Sequence, residues 1–207
     1  MLKLDLLVSI YIFCIAAAEL MGAKTIPLMK LGTYQLNASV ALLVIPVIFS
    51  INDIVSEVYG KERARSIVRS GIIVVALILL FSLLATNLPP STRFEMREAA
   101  YDQIFGLSAR IAAASLTAFT IAEFLDVFLF AKIRQLFGKK RLWLRNNVSN
   151  IISQFVDTTV FMALAFYEPG NIGFVWSLIL PYWLLKCFMS VIETPFVYLG
   201  VAWLKKP

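Results

Sequence analysis

Apolar residues in this chain gather into six long runs, Leu6–Ala23, Leu36–Val58, Ile67–Leu88, Leu107–Phe130, Val148–Tyr167 and Phe174–Leu204. A helix needs about 20 mostly apolar residues to cross a hydrocarbon core of about 30 Å, and each run approaches or exceeds that length. The second is the weakest, because Asn52, Asp53 and Glu57 interrupt it. Turn-forming residues separate the runs: Gly32, Gly60, Pro89-Pro90, Gly138 and Pro169-Gly170. The pattern predicts an all-α integral membrane protein of six transmembrane helices, with residues 1–207 forming a single domain. The longest polar segment, about Pro89 to Gly106, is too short to build a core of its own. It carries Arg93, Glu95, Arg97, Glu98 and Asp102, and reads equally well as a short amphipathic surface helix or as a solvated loop. The first run holds Glu19 and has no clear small-residue cleavage site, so it is expected to stay as a span.

Composition strengthens this picture. Hydrophobic residues make up 60% and charged residues 15%, against about 45–50% and about 25% in soluble domains. Basic residues then orient the chain. With both termini inside, the cytoplasmic segments hold Lys3, then Lys61, Arg63, Arg65 and Arg69, then Lys132, Arg134, Lys139, Lys140, Arg141 and Arg145, and finally Lys205 and Lys206. Only Lys24, Lys30, Arg93 and Arg97 fall outside, while Arg110 and Lys186 lie within spans. This asymmetry satisfies the positive-inside rule. The net charge of +6 is thereby accounted for by topology and anionic lipid, with no nucleic acid as a partner. Cys14 and Cys187 sit in separate apolar runs without metal-site spacing, and histidine is absent. No metal site, cofactor or catalytic residue is expected, and without a phosphate-binding loop any use of ATP would have to come from a partner.

Charge placed inside lipid carries the functional signal. Glu19, Asp53, Glu57, Glu123, Asp126, Asp157 and Glu193 all fall within or at the edge of spans. A carboxylate at the bilayer centre costs about 2.5–3.5 kcal/mol on insertion scales, so such groups turn toward a bundle interior or a wet cavity. Asp53 and Glu57, four residues apart, share a helix face. Ser115, Phe119, Glu123 and Asp126 form one stripe on the fourth span, and Asn146, Asn150, Gln154 and Asp157 repeat its spacing on the fifth. Asn52, Glu123 and Gln154 each lie nine residues from the first cytoplasmic basic residue of their span. At about 1.5 Å per residue that is about 13 Å deep, near mid-membrane, where secondary transporters hold their substrates.

The sixth span adds Lys186 and Glu193. Lys186 is expected to neutralise one of the acids. Pro46 and Pro195 read as kinks within their spans, since proline removes a helical hydrogen bond. Phe119, Phe124, Phe155, Phe161, Trp176, Trp183 and Tyr59 are aromatic candidates for stacking on a planar ligand, Phe119 foremost because it lies within a polar stripe. The expected architecture is a compact bundle around a central polar cavity. Its candidate substrate-binding residues are Asn52, Asp53, Glu57, Phe119, Glu123, Asp126, Asn146, Asn150, Gln154, Asp157, Lys186 and Glu193.

Several of these segments resemble the queuosine precursor transporter family, also called the vitamin uptake transporter family. They are Ile51 to Gly60, Ser115 to Asp126, Leu142 to Asn146 with Ser149, Gln154 and Asp157-Thr158, and then Thr194-Pro195 with Tyr198. The resemblance implies a six-helix bacterial inner-membrane protein that imports a 7-deazaguanine base: 7-cyano-7-deazaguanine, its aminomethyl form, or queuine. Asn150 stands where the family often has Thr, and Glu123 where it often has Gln, which leaves the choice among these precursors open.

A guanine-like base offers donors on one edge and a carbonyl acceptor on the other. Asp53, Glu57, Glu123 and Asp157 are candidates for the donor edge, and Asn52, Asn146, Gln154 and Lys186 for the rest. The competing reading is a substrate-binding membrane subunit of an ATP-driven vitamin importer. A membrane-embedded enzyme is less well supported, because no nucleophile and base pair is visible. The expected partners are a small molecule and the bilayer, with the oligomeric state open, a homodimer included.

Overall fold

The computed structural model describes residues 2–137 and 142–205. It describes their side chains except at positions 31, 34, 61, 123, 126–127, 130–131, 133–137, 142–147, 149–150 and 189–194. Six helices dominate the chain: α1 (Leu2–Met21), α2 (Ile45–Tyr59), α3 (Lys61–Thr86), α4 (Glu95–Phe137), α5 (Leu142–Phe166) and α6 (Ile172–Lys205). Among the described residues, four helical stretches are long and apolar enough to cross a membrane: Leu2–Met21, Val40–Tyr59, Glu62–Thr86 and Glu95–Ala122. Ile151–Phe166 and Ile172–Phe188 are shorter apolar helices. Along α3 the side chains of Ile73, Leu77, Leu80, Phe81 and Leu84 share one exposed face. An apolar stripe of that length suits hydrocarbon as its solvent, not water. This is a helical membrane protein.

The segment between α1 and α2 departs from the expected loop. Strands β1 (Thr25–Leu31) and β2 (Tyr34–Ser39) pair antiparallel, from Thr25 opposite Ser39 to Leu31 opposite Tyr34. Gly32 takes φ +63° at the turn, a left-handed value open to a residue without Cβ. Pro27, which lacks an N–H, sits where the register slips. A short 3-10 turn, Val40–Leu43, follows, and the Ser39 hydroxyl caps it by accepting from the Ala41 N–H. The helical stretch long and apolar enough to form the second span therefore begins at Val40, not Leu36. Pro46 falls in the first turn of α2, where a missing N–H breaks no helical bond, so it starts the helix and does not kink it. Pro181 and Pro195 do lie inside α6.

Beyond α3, the acidic segment from Glu95 is the beginning of α4, a helix of 43 residues. At about 1.5 Å per residue it is about 64 Å long, twice the hydrocarbon thickness. Neither a separate surface helix nor a loop describes it.

Helices α1 and α3 pack side by side, as do α2 and α6, α3 and α4, α4 and α5, and α5 and α6, with β2 against α6. Gly71 lets α3 approach α1, since a Cβ there would lie 2.5 Å from Ile15 Cδ1. Small residues permit such close helix contacts in membranes, where packing replaces the hydrophobic drive. Among the described residues three apolar clusters form the core. One gathers Leu7, Tyr11, Ile51, Ile54, Val55, Ala64 and Ile67 near the α2–α3 turn; a second gathers Ala38, Met162, Val175, Leu178, Ile179 and Tyr182 near the hairpin; the third is Ile111, Ala114 and Ala165, between α4 and α5. Arg110 is structural: Nε and Nη2 donate to the carbonyls of Leu164 and Tyr167 at 2.7 and 2.6 Å, capping the end of α5.

Candidate functional site

Residues of all three clusters border a cavity of about 300 Å³. Helix α1 contributes Tyr11, Ile15 and Glu19; α4 contributes Ser115 and Phe119; α5 contributes Asp157, Thr158 and Phe161; α6 contributes Tyr182 and Lys186. Most of the wall is apolar, so its few polar groups stand out.

Lys186 Nζ donates to Asp157 Oδ2 at 2.5 Å, with only 16% and 26% of the two side chains exposed. Lys186 thus meets an acid, as the sequence leads one to expect, and that acid is Asp157. In a low-dielectric setting either partner alone would be strongly unfavourable. Across the cavity Glu19 is 7% exposed. Ser115 lines the same cavity, and Glu19 Oε2 is buried without a hydrogen-bond partner. Thr158 Oγ1 is likewise buried and unpartnered.

At the hairpin end the wall is Gly22, Ser39 and Ala41. Ser39 Oγ donates to the Gly22 carbonyl at 2.6 Å, and the Tyr182 hydroxyl donates to the Ser39 carbonyl at 3.0 Å. Asn37 Nδ2 donates to Ser177 Oγ at 2.8 Å. These bonds hold the base of the hairpin against α6.

A second cavity, about 550 Å³, opens between α2 and α3. Asn52, Asp53 and Ser56 line one side, Arg65 and Arg69 the other. Asn52 Oδ1 is buried and unpartnered. Arg65 pairs with Glu62 at 2.7 Å on the exposed surface, an arrangement that contributes little to stability. Val68, Ile72 and Phe119 line both cavities, so Phe119 stands in the partition between them.

The sequence-derived candidates therefore divide. Phe119, Asp157 and Lys186 border the first cavity; Asn52 and Asp53, again with Phe119, border the second. Glu57 is exposed and Gln154 half-buried, and neither lines these two cavities. The side chains of Glu123, Asp126, Asn146, Asn150 and Glu193 lie outside the described residues. Among the aromatics Phe161 lines the first cavity, Phe155 packs edge-on against Trp183 at 5.3 Å, and Phe124, Trp176 and Tyr59 are exposed. Sequence reasoning counted Glu19 among the membrane acids but left it out of the binding set. Its one signal was a carboxylate in an otherwise apolar run. It has no polar stripe on its own helix to announce it.

Residues 39–200 match the family described as "Putative vitamin uptake transporter". The chain is 33% identical over 190 residues to the "Probable queuosine precursor transporter" of Bacillus subtilis, a match covering 90% of this chain and 79% of that protein. It is 29% identical over 169 residues to the protein of the same name in Haemophilus influenzae, covering 78% and 68%. It is also 27% identical over 126 residues to the "Queuosine precursor transporter" of Escherichia coli, covering 61% and 54%. No solved structure matches significantly. With its helical membrane fold and a matched region that runs from the base of the hairpin through most of α6, the chain belongs to the vitamin uptake transporter family.

Proposed function

We propose that this chain imports a queuosine precursor, a 7-deazaguanine base, across the bacterial inner membrane. All six helices span the bilayer on this reading, with both termini in the cytoplasm. The base enters from the hairpin side, rests in the first cavity, and leaves through the second past Phe119. The observation that carries the proposal is a cavity bordered by apolar helices that brings Glu19, Ser115, Asp157, Thr158 and Lys186 together beside Phe119 and Phe161. Carboxylate and hydroxyl groups suit the donors of a guanine-like edge, the ammonium suits its carbonyl, and the rings suit its faces. Both cavities fall within the range of about 300–1,000 Å³ common for small-molecule sites. The names of the relatives support the same substrate class.

The chain acts alone on this proposal, as a secondary or facilitative carrier. The test is uptake of labelled 7-cyano-7-deazaguanine by proteoliposomes holding only the purified chain. Time-dependent accumulation well above that of empty vesicles is expected. Uptake that appears only when an ATPase partner and ATP are added would overturn the autonomous carrier in favour of an importer subunit.

A further inference from the structure

Two acids line the first cavity among the described residues, and they are not equivalent. Asp157 is engaged: its Oδ2 accepts from Lys186. Glu19 has no cation beside it among the described residues. Its Oε2 is buried with no donor among the described residues. A buried carboxylate oxygen without a donor is expensive, because it has surrendered water and received nothing in return. The arrangement becomes favourable when a bound molecule brings the missing N–H.

Asp102 Oδ1 is also buried without a partner, but Asp102 borders neither cavity. Asp53 is exposed in the second cavity and Glu57 lies on the surface, so water competes for both. A hydrogen bond reads ligand identity well only where water is excluded, since there the wrong ligand leaves the site group unpaired.

Building on the transport reading above, we infer that Glu19 is the residue that selects the substrate, by accepting hydrogen bonds from the amino-bearing edge of the base. A guanine-like edge presents a ring N–H and an exocyclic amino group side by side, two donors facing one carboxylate. Ser115, on α4, borders the same cavity as Glu19. Phe119 and Phe161 border the same space and supply apolar faces for the ring system. Asp157 and Lys186 neutralise each other and leave the reading of the donor edge to Glu19.

Equilibrium binding to the purified full chain in lipid nanodiscs tests this with two probes: 7-deazaguanine and 7-deazahypoxanthine, which lacks the exocyclic amino group. Wild type should prefer the amino-bearing base by about 100-fold or more. Glu19→Gln should cut that preference to a few-fold, by weakening the amino-bearing base selectively. Equal weakening of both probes would make Glu19 a structural residue and overturn the inference. Where Glu19→Gln does not give a monodisperse protein, Glu19→Asp decides: about a tenfold loss confined to the amino-bearing base supports selection by the carboxylate, and equal losses oppose it. A wild type that binds both probes alike overturns the role of Glu19 and leaves the transport reading standing. A wild type that binds neither overturns both.

Discussion

At the scale of single residues, the pair of Lys186 and Asp157 shows how charge survives in lipid. Each ion is tolerated because the other sits 2.5 Å away with little water between them. Lys186→Met should therefore destabilise the protein by up to roughly 3 kcal/mol, since it strands Asp157 as a partly buried unpaired charge. The double variant Lys186→Met with Asp157→Leu should recover most of that loss. Size-exclusion profiles after graded heating will measure both, and a double variant no more stable than the single one would mean that the pair is not a closed unit. The sequence revealed that Lys186 needs an acid, because an ammonium in a span is costly wherever it sits. It did not reveal which acid, since that depends on the lateral neighbours of α6. Glu19 was harder still: its place in the proposal comes from the cavity that other helices complete around it and from an oxygen left without a donor.

Elements show a different balance between what pattern predicts and what packing decides. Long apolar runs located the helices, while the hairpin between α1 and α2 stayed hidden. Its strands are short, and Pro27 masks the first of them because proline argues against a regular ladder. Side-chain bonds to α6 and the base of α1 then hold it where no periodicity points. The same bonds make it the natural closure of the first cavity on the proposed outer side. Asn37→Cys with Ser177→Cys, in a chain whose Cys14 and Cys187 are replaced by Ala, tests this. Oxidation should form a cross-link and reduce uptake to the level of empty vesicles, and a reductant should restore it. Undiminished uptake by the fully cross-linked protein would show that the hairpin does not open during transport.

At the scale of the whole molecule, the described candidates fall into two cavities, Asp157 and Lys186 in one and Asn52 and Asp53 in the other, with Phe119 bordering both. Counting residues from the basic ends gives depth along each helix but not the direction in which a side chain turns. That is why Asn52 and Asp53 appear level with the residues of α5 yet open toward α3. Phe119 separates the chambers, and on the proposed path every substrate passes it. Phe119→Ala should speed the equilibration of labelled base across proteoliposome membranes, whereas Phe119→Trp should slow it without abolishing binding. Time courses of uptake set beside equilibrium binding distinguish the two effects. Identical rates for both variants would remove Phe119 from the path.

Helix α4 runs from Glu95 to Phe137 without a proline, and Ser115 and Phe119 ride on its middle stretch. On the proposed reading, a rod of that length projects beyond the lipid at its ends. Ser115 and Phe119 sit close to its midpoint, where a tilt moves side chains least, so the helix can rock while the residues it lends to the cavity keep their place.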